Sequence, residues 1–223
     1  MKQKILVTGF PHCGTSILKS IVGHVPGIQE EYNETYDIPQ KEGLWVFKYP
    51  IVDESMIHRK DCVKIFIIRN PLWVMSSLNK RFNYAPPDGC TLHNYVQTLE
   101  LFKKYKENPV EGLYLLRYED MFENNFAILR EIFDSIGLEY TDEIFDNSGY
   151  QNVINKDSYE FIEQKPPCEQ QGQYRNWQIN QKFVNNNFPE KIDLVKFQIE
   201  FIKNNSIIHE IYPNISANLL EIL

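Results

Sequence analysis

Short apolar runs closed by turn residues alternate along the chain with stretches whose apolar positions recur every three or four residues. Lys4 to Thr8 is such a run, ending at Gly9, and Ile17, Leu18, Ile21, Val22 and Val25 then follow at helical spacing. The pattern predicts strand, turn, helix. Leu44 to Tyr49 and Cys62 to Ile68 are further runs rich in Val, Ile and Phe, too short for helices and suited to buried strands. Between and after them lie helical patterns. Pro71 opens one through Val74, Leu78 and Phe82, and a second starts near Thr91 with Leu92, Tyr95, Val96, Leu99 and Phe102. Gly112 to Arg117 predicts a fourth strand. Phe122, Phe126, Leu129, Ile132, Phe133 and Ile136 predict one amphipathic helix, with Gly137 where a C-terminal capping glycine falls.

From about residue 147 to 176 the pattern loosens into polar residues around Pro166 and Pro167, which predicts a mobile loop inside the unit. Ile192, Val195, Ile199 and Ile202 then carry a helical stripe, and Ala217 to Leu223 suit one or two helical turns. Strands alternating with helices predict an α/β fold with a central parallel sheet flanked by helices. No internal repeat is visible. At 223 residues, against about 150 per domain, the chain reads as a single domain spanning 1–223.

Composition narrows the class without identifying the chemistry. Apolar residues are 43% and charged residues 24%, the balance of a folded globular protein. A net charge of −7 disfavours general electrostatic binding to nucleic acid or to an anionic membrane, while leaving room for a local basic pocket. No run of eighteen apolar residues occurs, so no transmembrane helix and no integral membrane association are expected. The four-residue apolar run before Gly9 is too short for a signal peptide, and a cytoplasmic location is the expectation. Cys13, Cys62, Cys90 and Cys168 lie far apart without a C-x-x-C pair, so no metal site is expected.

Two constellations carry chemistry. Gly9-Phe10-Pro11-His12-Cys13-Gly14-Thr15-Ser16 follows the first strand and fits the phosphate-loop frame G-x-x-x-x-G-K-[ST], with Thr15 in place of lysine. Successive backbone N–H groups in such a turn, with the start of the next helix, hold an anion even without lysine. An ordinary strand-to-helix turn has the same bare glycine spacing. The second constellation is Arg69-Asn70-Pro71 at the end of the Cys62 to Ile68 strand, followed by Ser76 and Ser77. Arginine at the carboxyl end of a parallel strand sits where open α/β sheets bind ligands, and its planar fork suits phosphate.

Together these segments resemble the sulfotransferases that use 3′-phosphoadenosine 5′-phosphosulfate (PAPS). The family loop P-[KR]-[SGC]-G-T-[ST] is matched by Pro11, Cys13, Gly14, Thr15 and Ser16, with His12 as the departure. Its R-[ND]-P motif, with a serine eight residues after the arginine, is matched by Arg69, Asn70, Pro71 and Ser77. Leu116-Arg117-Tyr118-Glu119-Asp120 resembles the family's R-Y-E-D-L segment, and Gly172-Gln173-Tyr174-Arg175-Asn176-Trp177 its late nucleotide-covering loop. The resemblance implies a sulfotransferase architecture related to the phosphate-loop nucleoside triphosphatases, and transfer from PAPS without a metal. It implies that Pro11 to Ser16 cradle the 5′-phosphosulfate while Arg69, Ser77, Tyr174 and Arg175 bind the rest of the donor.

The same resemblance assigns catalytic roles. Lys48, in Phe47-Lys48-Tyr49-Pro50, corresponds to the family's strand-end lysine, suited to neutralising sulfonate oxygens as charge develops. His12 is assigned donation to the sulfonate or the leaving phosphate, its charged form being favoured by bound phosphates. Within Glu30-Glu31-Tyr32-Asn33-Glu34, read as an acidic loop, Glu34 is the register match to the general base of the heparan-type branch and Glu31 the runner-up. The acceptor is expected to be a small molecule or glycan. Two other readings use the same loop: a phosphate-loop kinase and a noncatalytic adenine-nucleotide binding module. Against the kinase stand Thr15 at the lysine position and Arg69 where a magnesium-holding aspartate belongs. Oligomeric state is left open.

Overall fold

β1 (Lys4–Gly9) lies at the centre of a five-stranded, wholly parallel sheet in the order β2-β3-β1-β4-β5. The computed structural model describes residues 4–40, 42–145 and 192–220. The expected loop at 147–176, with Tyr174 and Arg175, and Cys168 lie outside the described residues. The other strands are β2 (Ile28–Glu34), β3 (Leu44–Tyr49), β4 (Val63–Ile68) and β5 (Leu113–Arg117).

Continuous apolar runs form these inner strands because both faces of the sheet are covered. Ile5 and Val7 of β1, with Ile65 and Ile67 of β4, face α1 (Thr15–Gly23) and α6 (Ala127–Ser135) in one core layer. Phe66 and Ile68 of β4 point the other way, into a second layer with α3 (Pro71–Phe82) and α4 (Leu92–Glu107). Ile202, Ile208 and Ile215, from α7 (Lys196–Asn204), α8 (Ser206–Ile211) and α9 (Ile215–Leu220), complete that layer. Leu6, Phe47 and Met56 of the short α2 (Glu54–Ile57) make a third cluster.

The end signals act as their chemistry requires. Asn70 Oδ1 accepts the Leu72 N–H at 3.0 Å, with Pro71 as first helical residue, and Thr91 Oγ1 accepts the Asn94 N–H at 3.2 Å. After α6, Gly137 (φ 71°) permits paired bonds from Gly137 N to Asp134 O and Leu138 N to Phe133 O, a Schellman closure.

Three elements depart from the pattern. The acidic segment is not a loop: Ile28–Glu34 is an edge strand pairing Glu30 with Val46 and, past an irregularity, Glu34 with Lys48. Charge suits an edge strand, which is why apolar alternation gave no sign of it. The amphipathic stretch through Phe122 and Phe126 is not one helix. α5 (Tyr118–Met121) stops, and Asn124, Asn125 and Phe126 turn through positive φ before α6, while Phe126 still stacks 4.9 Å from Phe145. Side chains on one core kept the period although the backbone broke it. The C-terminal stripe also begins later, with Val195 capping α7 and Ile192 ahead of it.

Candidate functional site

The loop joining β1 to α1 is shaped by its two glycines. A Cβ on Gly9 would lie 2.2 Å from the Ile67 carbonyl oxygen, so only glycine lets the loop cross β4 this closely. Gly14 adopts φ 93°, and a Cβ there would meet the Tyr118 ring at 2.5 Å. Phe10 and Cys13 point down into the second core layer, Phe10 against Tyr95 at 4.9 Å between ring centroids. Burial pushes the Cys13 thiol up to about 12, so it is an inert anchor that leaves only its backbone to the loop. Thr15 and Ser16 open α1, where its first N–H groups face outward from the helix end.

Two side-chain chains grow from this loop. In the first, Lys48 at the end of β3, 4% exposed, donates from Nζ to Ser16 Oγ at 2.5 Å and pairs with Glu34 Oε1 at 2.9 Å. The parallel pairing of β2 with β3 sets this up by placing Glu34 beside Lys48. Glu34 thus brings its carboxylate to Lys48. Glu30 turns towards α1, 3.4 Å from Lys19, whose ammonium also donates to the Glu31 carbonyl.

The second chain joins His12 to Ser77. His12 Nδ1 lies 2.6 Å from Ser77 Oγ, across 65 residues of sequence. Ser76 serves a different purpose, its Oγ accepting the Asp193 N–H at 2.8 Å. Burial, followed by the charges of Arg81, Arg69 and Lys48, lowers His12 from 6.5 to about 3, so the imidazole is neutral in the ligand-free protein. The charged form, expected from the sequence when phosphates are bound, is not the form of the ligand-free protein. A neutral ring has one N–H, and an anion offers only acceptors. Either Ser77 donates to Nδ1 and leaves Nε2–H for the anion, or Nδ1–H donates to Ser77, whose hydroxyl then serves it.

Arg69 ends β4 with its guanidinium 4.1 Å above the Tyr118 ring, and its carbonyl accepts the Tyr95 hydroxyl. Glu119 Oε1 accepts the Asn70 N–H at 2.7 Å, fixing the backbone of this turn. Burial raises the Glu119 carboxyl above its ordinary value, against the opposing Asn70 bond. Arg117 forks onto Asp120 with bonds of 2.7 and 2.5 Å. Tyr118 and Glu119 are thus the supports of Arg69 and Gly14, roles that the sequence motif did not assign. Their signal was the quoted Arg117-Tyr118-Glu119-Asp120 run itself.

The arrangement offers a backbone loop and helix start, a buried ammonium, a neutral imidazole and an arginine at the carboxyl ends of β1, β3 and β4, with one carboxylate beside the ammonium. It suits holding a polyanion and taking a proton from a neighbouring group. Among the described residues no three His, Cys, Asp or Glu side chains converge as metal ligands, and no helix is long and apolar enough to cross a membrane. Tyr174 and Arg175 belong to the residues that are not described.

No protein-family model matches the sequence, and no curated protein matches it. Solved structures do match in fold. Mouse sulfotransferase SULT7A1 complexed with PAP superimposes with a TM-score of 0.59 at 13% identity, covering 97% of this chain and 90% of that one. Retinol dehydratase in a complex with retinol and PAP gives 0.50 at 14% identity, covering 91% and 81%. A sulfotransferase domain from the curacin biosynthetic pathway gives 0.50 at 12% identity, covering 97% and 98%. The chain has the fold of these sulfotransferases.

Proposed function

We propose that this protein is a PAPS-dependent sulfotransferase, moving a sulfuryl group to a hydroxyl or amine of a small-molecule or glycan acceptor and releasing 3′,5′-bisphosphoadenosine (PAP). The observation that carries the reading is Lys48, whose single ammonium touches Ser16 of the loop and Glu34 of β2 at 2.5 and 2.9 Å. A cation and a carboxylate side by side, in contact with a loop suited to an anion, support this reading. The residues also fit the donor. Gly9 and Gly14 let the loop pack closely on β4 and on Tyr118, and Arg69 at the end of β4 and Ser77 of α3, which touches His12, would take a second phosphate. Two of the fold neighbours are PAP complexes.

In this reaction the acceptor oxygen or nitrogen forms its bond to sulfur as the bond from sulfur to the bridging phosphate oxygen breaks. Glu34 takes the acceptor proton. Lys48 and the loop amides stabilise the negative charge that grows on the sulfonate and leaving oxygens, in a site that holds them before the reaction begins. His12 adds one neutral N–H donor, directly or through Ser77. Arg69 anchors the nucleotide so that attack is in line.

Thermal melting of the full chain with PAP, adenosine 5′-monophosphate or magnesium ATP tests the reading. At a hundred times its dissociation constant PAP adds about 2.7 kcal/mol, or roughly 5 to 10 °C for a chain of this size. The shift is expected to be absent in Arg69→Ala and smaller with the monophosphate. Stabilisation by magnesium ATP and none by PAP would overturn the sulfotransferase reading.

A further inference from the structure

The phosphate loop carries no fixed cation at either position where one would be expected: His12 is neutral in the ligand-free protein, and Thr15 has no charge. The proposed donor carries several negative charges. Lys48 and Arg69 reach the loop from the strands, and Lys48 is already engaged by Glu34. One further cation comes from α3. Ser77 touches His12 at 2.6 Å, and Arg81 stands four residues later, one turn along the same helix face. Phe82, the next residue, packs its ring 6.2 Å from the His12 ring. Arg81 is half-buried and lies 5.8 Å over the Phe82 ring, and among the described residues no carboxylate pairs with it. After burial, its charge has the largest influence on His12, ahead of Arg69 and Lys48.

We infer that Arg81 is a donor-binding residue, supplying from the last turn of α3 the fixed positive charge that the loop lacks at positions 12 and 15. The inference rests on the proposed donor site. Its physical basis is that the charge of Arg81 acts on a buried, uncharged imidazole beside Ser77, and that among the described residues no carboxylate pairs with Arg81, so that a bound anion would supply the partner. Arginine holds that charge at any working pH and presents several donors in a plane, which a histidine with a lowered pKa does not. A guanidinium confined to the end of a helix would serve the helix dipole alone, and would leave PAP affinity unaltered when removed.

Calorimetric titration of PAP into the full chain separates these roles. Arg81→Met and Arg81→Gln are each expected to weaken PAP on the order of tenfold or more, the loss of a charge-assisted hydrogen bond. Arg81→Lys is expected to retain part of the affinity. Lysine returned to the loop, in His12→Lys with Arg81→Met, is expected to recover most of it, a rescue that a purely structural role cannot produce. Unchanged affinity in Arg81→Met and Arg81→Gln, with binding still lost in Arg69→Ala, would overturn the role of Arg81 and leave the donor site standing. Weakened binding without rescue by His12→Lys would overturn the charge replacement. Absence of PAP binding to the unaltered chain would overturn both.

Discussion

His12 shows how far a residue's state depends on its surroundings. It sits at φ 67°, bonded to Ser77, and burial with the nearby Arg81, Arg69 and Lys48 brings its pKa to about 3. The unfolded chain's histidine titrates near 6.5, so below that pH the unfolded state binds a proton that the folded state refuses. Stability is therefore lost on acidification from about 6.5 towards 3. Between pH 7.5 and 5.5 the contribution is about 1.4 kcal/mol. Denaturant melts of His12→Asn, which tolerates the same backbone, should show a pH slope smaller by that amount, and equal slopes would mean that His12 titrates alike in the folded and unfolded states. Glu34 is the other residue with an assigned proton. Glu34→Gln is expected to lower turnover roughly a hundredfold or more, while Glu31→Gln and Glu30→Gln stay near normal in an acceptor assay at saturating donor. The loop position of His12 was legible from the spacing of Gly9 and Gly14, but its charge was not, because Arg69 and Arg81 are brought to it from 57 and 69 residues away.

At the scale of elements, β2 is where one-dimensional reading was weakest. Its Glu30 tucks beneath α1, close enough that a Cβ on Gly23 would strike its carboxylate, and it lies 3.4 Å from Lys19. Burial raises Glu30 to about 7, and the Lys19 charge only partly offsets it. The folded state therefore holds a proton between about 4.5 and 7 that the unfolded state releases, and stability from this group falls as pH rises through that window, opposite in sign to His12. Stability curves for Glu30→Gln between pH 5 and 7.5 are expected to lack a decline of about 2 kcal/mol present in the unaltered chain. The slope is the readout, since the substitution also alters the Lys19–Glu30 contact and with it the absolute stability. A parallel decline in both proteins would show Glu30 ionised throughout. β1, β3 and β4 were legible because burial on both faces demands unbroken apolar runs, whereas an edge strand paired on one side tolerates Gln29, Glu30, Glu31 and Glu34.

At the scale of the whole molecule, the C-terminal helices close the second core layer onto the helix that carries Ser77 and Arg81. Buried Asn79 donates to the Asp193 carbonyl at 2.8 Å and to Gln198 Oε1 at 2.7 Å, while Gln198 Nε2 returns a bond to Asn79 Oδ1 at 3.1 Å. Tyr84 reaches the Asp193 carboxylate at 2.6 Å. Asn79→Ala strands these partners and is expected to cost about 2 kcal/mol, or roughly 4 to 8 °C in melting temperature. A change below about 0.5 kcal/mol, the range of ordinary surface substitutions, would mean that the docking contributes nothing. The alternation of the apolar strands with helices, the glycine frame of the loop, the Asn70-Pro71 cap and the Gly137 closure were determined by the sequence itself, since each follows from a local pattern or from contacts within a few residues. The tertiary structure alone decided that an acidic stretch is a strand, that Glu34 meets Lys48, and that His12, buried within the influence of Arg81, Arg69 and Lys48, is neutral without a ligand. Those outcomes depend on side chains separated by 14 to 69 positions meeting in space, where distance and lost hydration set their charge and pairing, and no local pattern records either.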